Sequence, residues 1–194
     1  MGLGRQLKMV VVLTLVSVVA AALLGYVAEL TTPRIKAHAL RELRQGISDV
    51  LPGLKDYEKR FKEEDFEIYE GKNEEGTSVG FAIVRAGAGF SDSIKLIFGV
   101  SADFSKIYSL KILEQKETPG LGAKIMQERP FLQFWQGVSI AEPIRYAKPP
   151  RPKEQLEENE INAITGATIS SEAVVAAVND AVEDAKNIIG ETRE

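Results

Sequence analysis

Met9 to Ala28 is a run of twenty residues without a charge, M-V-V-V-L-T-L-V-S-V-V-A-A-A-L-L-G-Y-V-A. As a helix rising 1.5 Å per residue it spans about 30 Å, the thickness of a bilayer's hydrocarbon core. A cleavable signal peptide with Ala20-Ala21-Ala22 at its cleavage site is the competing reading. Signal h-regions usually hold 7–15 residues, whereas this run continues through Leu23, Leu24, Tyr26 and Val27. An uncleaved anchor is therefore expected. Arg5 and Lys8 flank one end and Arg34, Lys36 and Arg41 the other, so local charge does not orient it. A long downstream domain crosses regardless of charge, and N-in, C-out is the usual outcome. The bulk of the chain is expected outside a bacterial cytoplasmic (inner) membrane.

Thr32 to Leu51 returns to a helical pattern, with Ile35, Ala39, Leu40, Leu43, Ile47, Val50 and Leu51 at steps of three and four. Pro33 suits a first helical turn, and Pro52-Gly53 ends the run. The segment reads as an amphipathic stalk helix; a partner-binding helix has the same pattern. Beyond it the period changes. Residues 66–69, 79–84, 93–100 and 107–113 are short runs rich in β-branched and aromatic residues. Asn73–Gly76, Gly87–Gly89 and Ser101–Ser105 punctuate them, which predicts an antiparallel meander. A-G-A-G-F-S-D, residues 86–92, has Asp92 where a dinucleotide fingerprint needs its third glycine, and reads as a strand-to-strand turn.

E-T-P-G-L-G-A-K, residues 117–124, is a side-chain-poor loop held tight by Pro119-Gly120 and Gly122. Its spacing is wrong for a phosphate loop. It fits a simple turn before a helix, or a surface for a flat ring system. Phe131, Phe134 and Trp135, after Pro130, read as core aromatics, with stacking on a ligand as the other option. K-P-P-R-P-K, residues 148–153, reads as part of an extended connector.

N-A-I-T-G-A-T-I-S-S, residues 162–171, precedes a helical stripe of Val174, Val175, Val178, Ala181, Val182, Ala185, Ile188 and Ile189. A helix beginning near Thr168 turns its unpaired N–H groups and positive dipole end toward that hydroxyl, a natural seat for a phosphate. Gly166 lets the backbone come close, and Ala167 keeps bulk away. The same spacing also fits a plain helix cap by Thr168 or Ser170.

Composition narrows the chemistry. There is no cysteine, so disulfides, thiolate metal sites and cysteine nucleophiles are excluded. The lone histidine, His38, lies among charges and reads as solvated. Setting Arg5 and Lys8 aside from 24 basic residues leaves 22 against 28 acidic ones after Ala28, a balance of −6 that argues against nucleic acid. No catalytic set for bond-breaking on a substrate is visible.

Together, E-T-P-G-L-G and T-G-A-T in this order resemble the two hallmarks of the covalent-FMN-binding RnfG/NqrC family. It includes the G subunit of the Rnf complex and the C subunit of the sodium-translocating NADH:quinone reductase. The likeness runs from the apolar anchor to the last helix, and the short length favours the Rnf member. The resemblance implies an α+β fold: one N-terminal transmembrane helix, then an extracytoplasmic FMN-binding domain with an antiparallel sheet flanked by helices. The segments are then a cytoplasmic N-terminus (1–8), a transmembrane helix (9–28), a stalk helix (29–52) and the FMN-binding domain (53–194).

It further implies FMN esterified through its phosphate to Thr168 by a separate flavin transferase. Thr165, Gly166, Ala167, Ser170 and Ser171 would shape the phosphate end. Thr118, Gly120, Leu121 and Gly122 would line the isoalloxazine. The implied role is an electron-transfer subunit beside other membrane subunits of an Rnf complex that moves electrons between ferredoxin and NAD⁺, coupled to ion translocation. A stand-alone extracytoplasmic flavoprotein relay and a cofactor-free anchored scaffold or sensor are the alternatives.

Overall fold

The computed structural model describes residues 3–127, 129 and 131–191. The first two residues of the expected N-terminal segment, Pro130 and the last three residues of the expected domain lie outside the described residues. The chain divides into two compact units, Met1–Glu42 and Leu43–Glu194.

The first unit is helical throughout its described length. It belongs to helix α1, Leu3–Val50, in which the two expected helices are one, with Pro33 inside it. Proline removes the N–H that would bond to Glu29 O and crowds that carbonyl. In the turn before it Thr31 Oγ1 donates to Val27 O at 2.8 Å and Thr32 Oγ1 to Ala28 O at 2.7 Å. Such back-bonding satisfies hydroxyls without water. This helix is long and apolar enough to cross a membrane, with a mean hydropathy of 2.6 in its most apolar stretch.

The second unit is organised by a five-stranded antiparallel sheet in chain order. Its strands are β1 (Asp56–Lys62), β2 (Phe66–Lys72), β3 (Ser78–Ala88), β4 (Ser93–Val100) and β5 (Ile107–Glu114). Alternate residues serve opposite faces. Phe66, Ile68, Phe81, Ile83, Leu96, Phe98, Leu110 and Ile112 join the core formed with helix α2, Thr168–Glu191. Tyr69, Ala82, Val84 and Ile97 form the other core with Ile47 and Val50 from the end of α1 and Leu51 just after it. Strands β3 and β4 are buried on both faces, which is why they read as unbroken apolar runs.

The expected strands are β2 to β5. The sequence pattern missed β1, D-Y-E-K-R-F-K, whose side chains are exposed or half-buried at the sheet edge. Charge on an edge strand deters pairing with other chains, and here it also pairs across the register. Arg60 bonds to Glu70, and Lys72 Nζ reaches Glu58 Oε2 at 3.0 Å. The connector expected over residues 146–153 contains a short strand. Strand β6, Arg145–Ala147, pairs in parallel with β7, Glu160–Asn162. Phe131 and Trp135 are fully buried beneath the sheet and meet edge-to-face at 5.8 Å, with Phe134 half-buried beside them.

Two glycines permit the close packing. A Cβ on Gly87 would lie 2.8 Å from Ala177 Cβ, so α2 crosses β3 where both residues are small. A Cβ on Gly99 would lie 2.0 Å from Val50 O. Gly99→Ala must push the end of α1 off the sheet, and a loss of about 1–3 kcal/mol is expected, read as a lowered urea midpoint with unchanged slope.

Candidate functional site

Three segments of the second unit converge at the start of α2. The β3–β4 turn closes with Gly89 N–H donating to Asp92 O at 2.9 Å and leaves Phe90 exposed. After β5, Thr118-Pro119-Gly120-Leu121 forms a turn, with Leu121 N–H on Thr118 O at 3.1 Å and Gly120 at φ 77°. Before α2, Ile164-Thr165-Gly166-Ala167 repeats that shape, with Ala167 N–H on Ile164 O at 2.9 Å and Gly166 at φ 83°. In each turn a glycine takes the third, left-handed position that disfavours a side chain. The two turns are neighbours, since a Cβ on Gly166 would sit 3.7 Å from Leu121 Cδ2.

Ser171 secures the second turn from behind. Its Oγ accepts from Ile164 N–H and donates to Ala167 O, both at 3.0 Å. Ala167 O also receives the first helical bond, from Ser171 N–H at 3.0 Å. The N–H groups of Thr168, Ile169 and Ser170 therefore open the helix without a carbonyl one turn back. Neither candidate hydroxyl caps it. Ser170 Oγ donates to Glu117 Oε2 at 2.6 Å, and among the described residues the Thr168 hydroxyl has no hydrogen-bond partner.

Glu117 joins the three segments. It is 4% exposed; Oε1 accepts the N–H groups of Phe90 at 2.8 Å and Ser91 at 3.0 Å, and Oε2 accepts Ser170 Oγ. Burial alone would raise its pKa. The bonds from Ser170 and from the amides of Ser91, Phe90 and Asp92 outweigh that and hold the carboxyl below the usual glutamate range.

These walls enclose a cavity of about 430 Å³, within the range of small-molecule sites. Of the residues named from sequence, Thr118, Leu121, Gly122, Gly166, Ala167, Thr168 and Ser170 line it. Gly120 and Thr165 stand exposed at the turn tips, and Ser171 is buried behind the wall, so these three support the lining without forming it. Phe90, Glu117, Lys148 and Ile169 also line it and were not named. Phe90 had a legible signal, a large aromatic inside a glycine-rich turn. Lys148 had none: it is presented by the loop from β6 to β7. There Asn162 clamps Arg151 through both backbone groups, at 2.8 and 2.6 Å. Among the described residues Lys148 has no ion-pair partner, and no cluster of metal-ligating side chains occurs.

A family model described as an FMN-binding domain matches residues 89–183, a span that opens at the β3–β4 turn, closes inside α2 and contains every wall of the cavity. The G subunit of the ion-translocating oxidoreductase complex of Methanosarcina acetivorans is 31% identical over 185 residues, covering 91% of this chain and 92% of the relative. The chain belongs to the RnfG/NqrC family. A second relative is the G subunit of the Na(+)-translocating ferredoxin:NAD(+) oxidoreductase complex of Acetobacterium woodii. It is 30% identical over 198 residues, covering 93% of this RnfG/NqrC-family chain and 92% of the relative. Among solved structures, Shewanella oneidensis NqrC shares the fold with a TM-score of 0.54 at 18% identity, over 70% of this chain and 65% of that one. The membership expected from E-T-P-G-L-G and T-G-A-T is borne out, and with it the α+β fold.

In this RnfG/NqrC-family chain the depressed pKa of Glu117 makes acid stability informative. A carboxyl with a lowered folded pKa contributes stability that is complete above its unfolded value and is lost as pH falls through the folded one. Glu117→Gln is expected to melt lower than the native chain at neutral pH. That gap should close as pH drops below the ordinary glutamate value of 4.5, measured by thermal melts across pH.

Proposed function

We propose that the cavity holds FMN, esterified through its phosphate to Thr168 Oγ, and that the chain is a membrane-anchored electron-transfer subunit of an ion-translocating ferredoxin:NAD⁺ oxidoreductase complex. The observation that carries this reading is the unpartnered Thr168 hydroxyl on the wall of an apolar-rimmed cavity at a helix start. Phe90, Leu121 and Ile169 line that cavity and are 65%, 50% and 56% exposed. Among the described residues of the second unit, Met126 is the one other large apolar side chain so exposed. An exposed apolar cluster marks a surface meant to be covered, and a flat aromatic ring suits it.

The chemistry of the lining fits both ends of the cofactor. The phosphate end falls to Thr168 and the first amides of α2, with Thr165, Gly166, Ala167, Ser170 and Ser171 shaping the turn beneath. A phosphodiester keeps one negative charge, which the helix start offsets by a few tenths to about 1 kcal/mol. Lys148 supplies a further cation at the cavity. The ring end falls to Thr118, Leu121 and Gly122, joined by Phe90, with Gly120 shaping the turn that carries them.

Attachment needs an activated donor, because joining a hydroxyl to free FMN would have to expel water into water. A flavin dinucleotide, brought by a separate flavin transferase, meets this need. The Thr168 Oγ–P bond forms, the phosphoanhydride P–O bond breaks, the nucleoside monophosphate leaves and the hydroxyl proton passes to solvent. Bound FMN exchanges one or two electrons, and the protein supplies placement and electrostatics. Even nanomolar non-covalent binding, about 12 kcal/mol, would release cofactor into a dilute outer compartment. An ester abolishes that loss, which suits a domain outside the cytoplasm carried by the apolar part of α1, with the rest of α1 as a stalk. Other integral membrane subunits are its partners.

Expressed with a flavin transferase, the native chain and Thr168→Ser should show flavin fluorescence on a denaturing gel, and Thr168→Ala none. A fluorescent Thr168→Ala band would remove Thr168 from this role.

A further inference from the structure

Glu117 joins the three segments that meet at the start of α2, yet the attachment chemistry just described does not use it. Its carboxylate links the Phe90–Ser91 amides to the Ser170 hydroxyl, residues 26 to 53 positions away in the chain. Two glycines leave room for it. A Cβ on Gly89 would lie 2.5 Å from Glu117 Oε1, and one on Gly122 would lie 2.4 Å from Oε2 and 2.6 Å from Ser170 Oγ. With a side chain at either glycine the carboxylate could not keep this place, and at Gly89 the Asp92 carbonyl, 2.5 Å away, stands in the way as well. Gln115 Oε1 accepts Glu117 N–H at 2.6 Å and holds its backbone as well. Ser170, the far end of the link, is 3% exposed and sits two residues after Thr168 in the first turn of α2.

We infer that Glu117 is a positioning residue for flavin attachment: through Ser170 it fixes the first turn of α2 against the Thr118–Gly122 loop and so presents the Thr168 hydroxyl to the phosphoryl donor. A carboxylate suits the task better than a neutral acceptor, because it accepts on both oxygens at once and bonds to it are stronger. Transfer between macromolecules is sensitive to misplacement, with about 1 Å able to cost a hundredfold in rate. The inference rests on the proposed attachment at Thr168.

The test uses the full chain in detergent, a purified flavin transferase and flavin adenine dinucleotide, with transfer followed by in-gel fluorescence. Glu117→Gln and Ser170→Ala are each expected to lower kcat for transfer roughly tenfold or more, with KM for the acceptor chain unchanged. The double variant should be no slower than the slower single one, because both break one link. Either variant transferring at the native rate overturns the inference, and so do effects that multiply in the double variant. Should Glu117→Gln be unfolded at the assay temperature by circular dichroism, Ser170→Ala decides alone, since alanine is a good helix former. Absence of flavin on the native chain would instead remove the attachment reading itself.

Discussion

The packing of one apolar stripe of α2 on one face of the sheet is the constraint from which the rest of the domain follows. Val174, Val178, Ala181, Ala185 and Ile189 are buried against β-strand residues of the same core. Small residues at the crossing, Gly87 and Ala177, let the helix approach closely. Arg85 Nη1 reaches Asp184 Oδ2 at 2.9 Å and adds a directional contact farther along. Once the helix is seated this way, its first turn lies beside the β3–β4 turn and the loop after β5. The cavity is the space left where these segments meet.

That space is organised by backbone more than by side chains. Two turns of one shape, each with glycine in the left-handed position, bring main chain to the cavity with little bulk. The helix start adds amides and a free hydroxyl. One buried carboxylate fastens the segments, and its charge is neutralised by directed donors instead of solvent. Such a site favours a ligand with an anionic end and a flat apolar end. Family membership and the FMN-binding match agree with that chemistry.

Much of this was legible in the sequence where local pattern decides structure. Strands β2 to β5 announced themselves by β-branched and aromatic runs, and α2 by threes and fours. The first glycine turn was visible as Pro119-Gly120, whereas Gly166 was read as room for a close backbone and its turn was not foreseen. Strand β1 was hidden because Tyr57 and Phe61 are its only apolar residues and charges occupy both faces. The continuity of α1 was hidden by Pro33, which suits a first helical turn but here stands inside the helix. Glu117 was quoted within a motif but its role was not readable. Its partners lie 26 to 53 residues distant, and only folding brings them together. Ser171 was placed at the phosphate end but lies behind the wall, because helix phase turns it inward.

The central claim is a single bond between Thr168 and a flavin phosphate. It is tested most directly by mass spectrometry of the protein isolated from its own membranes, with fragmentation of the peptide that spans residues 162–171. The account predicts that this peptide carries the mass of FMN, less water, on Thr168. An unmodified peptide, or flavin mapped to another residue, would contradict it.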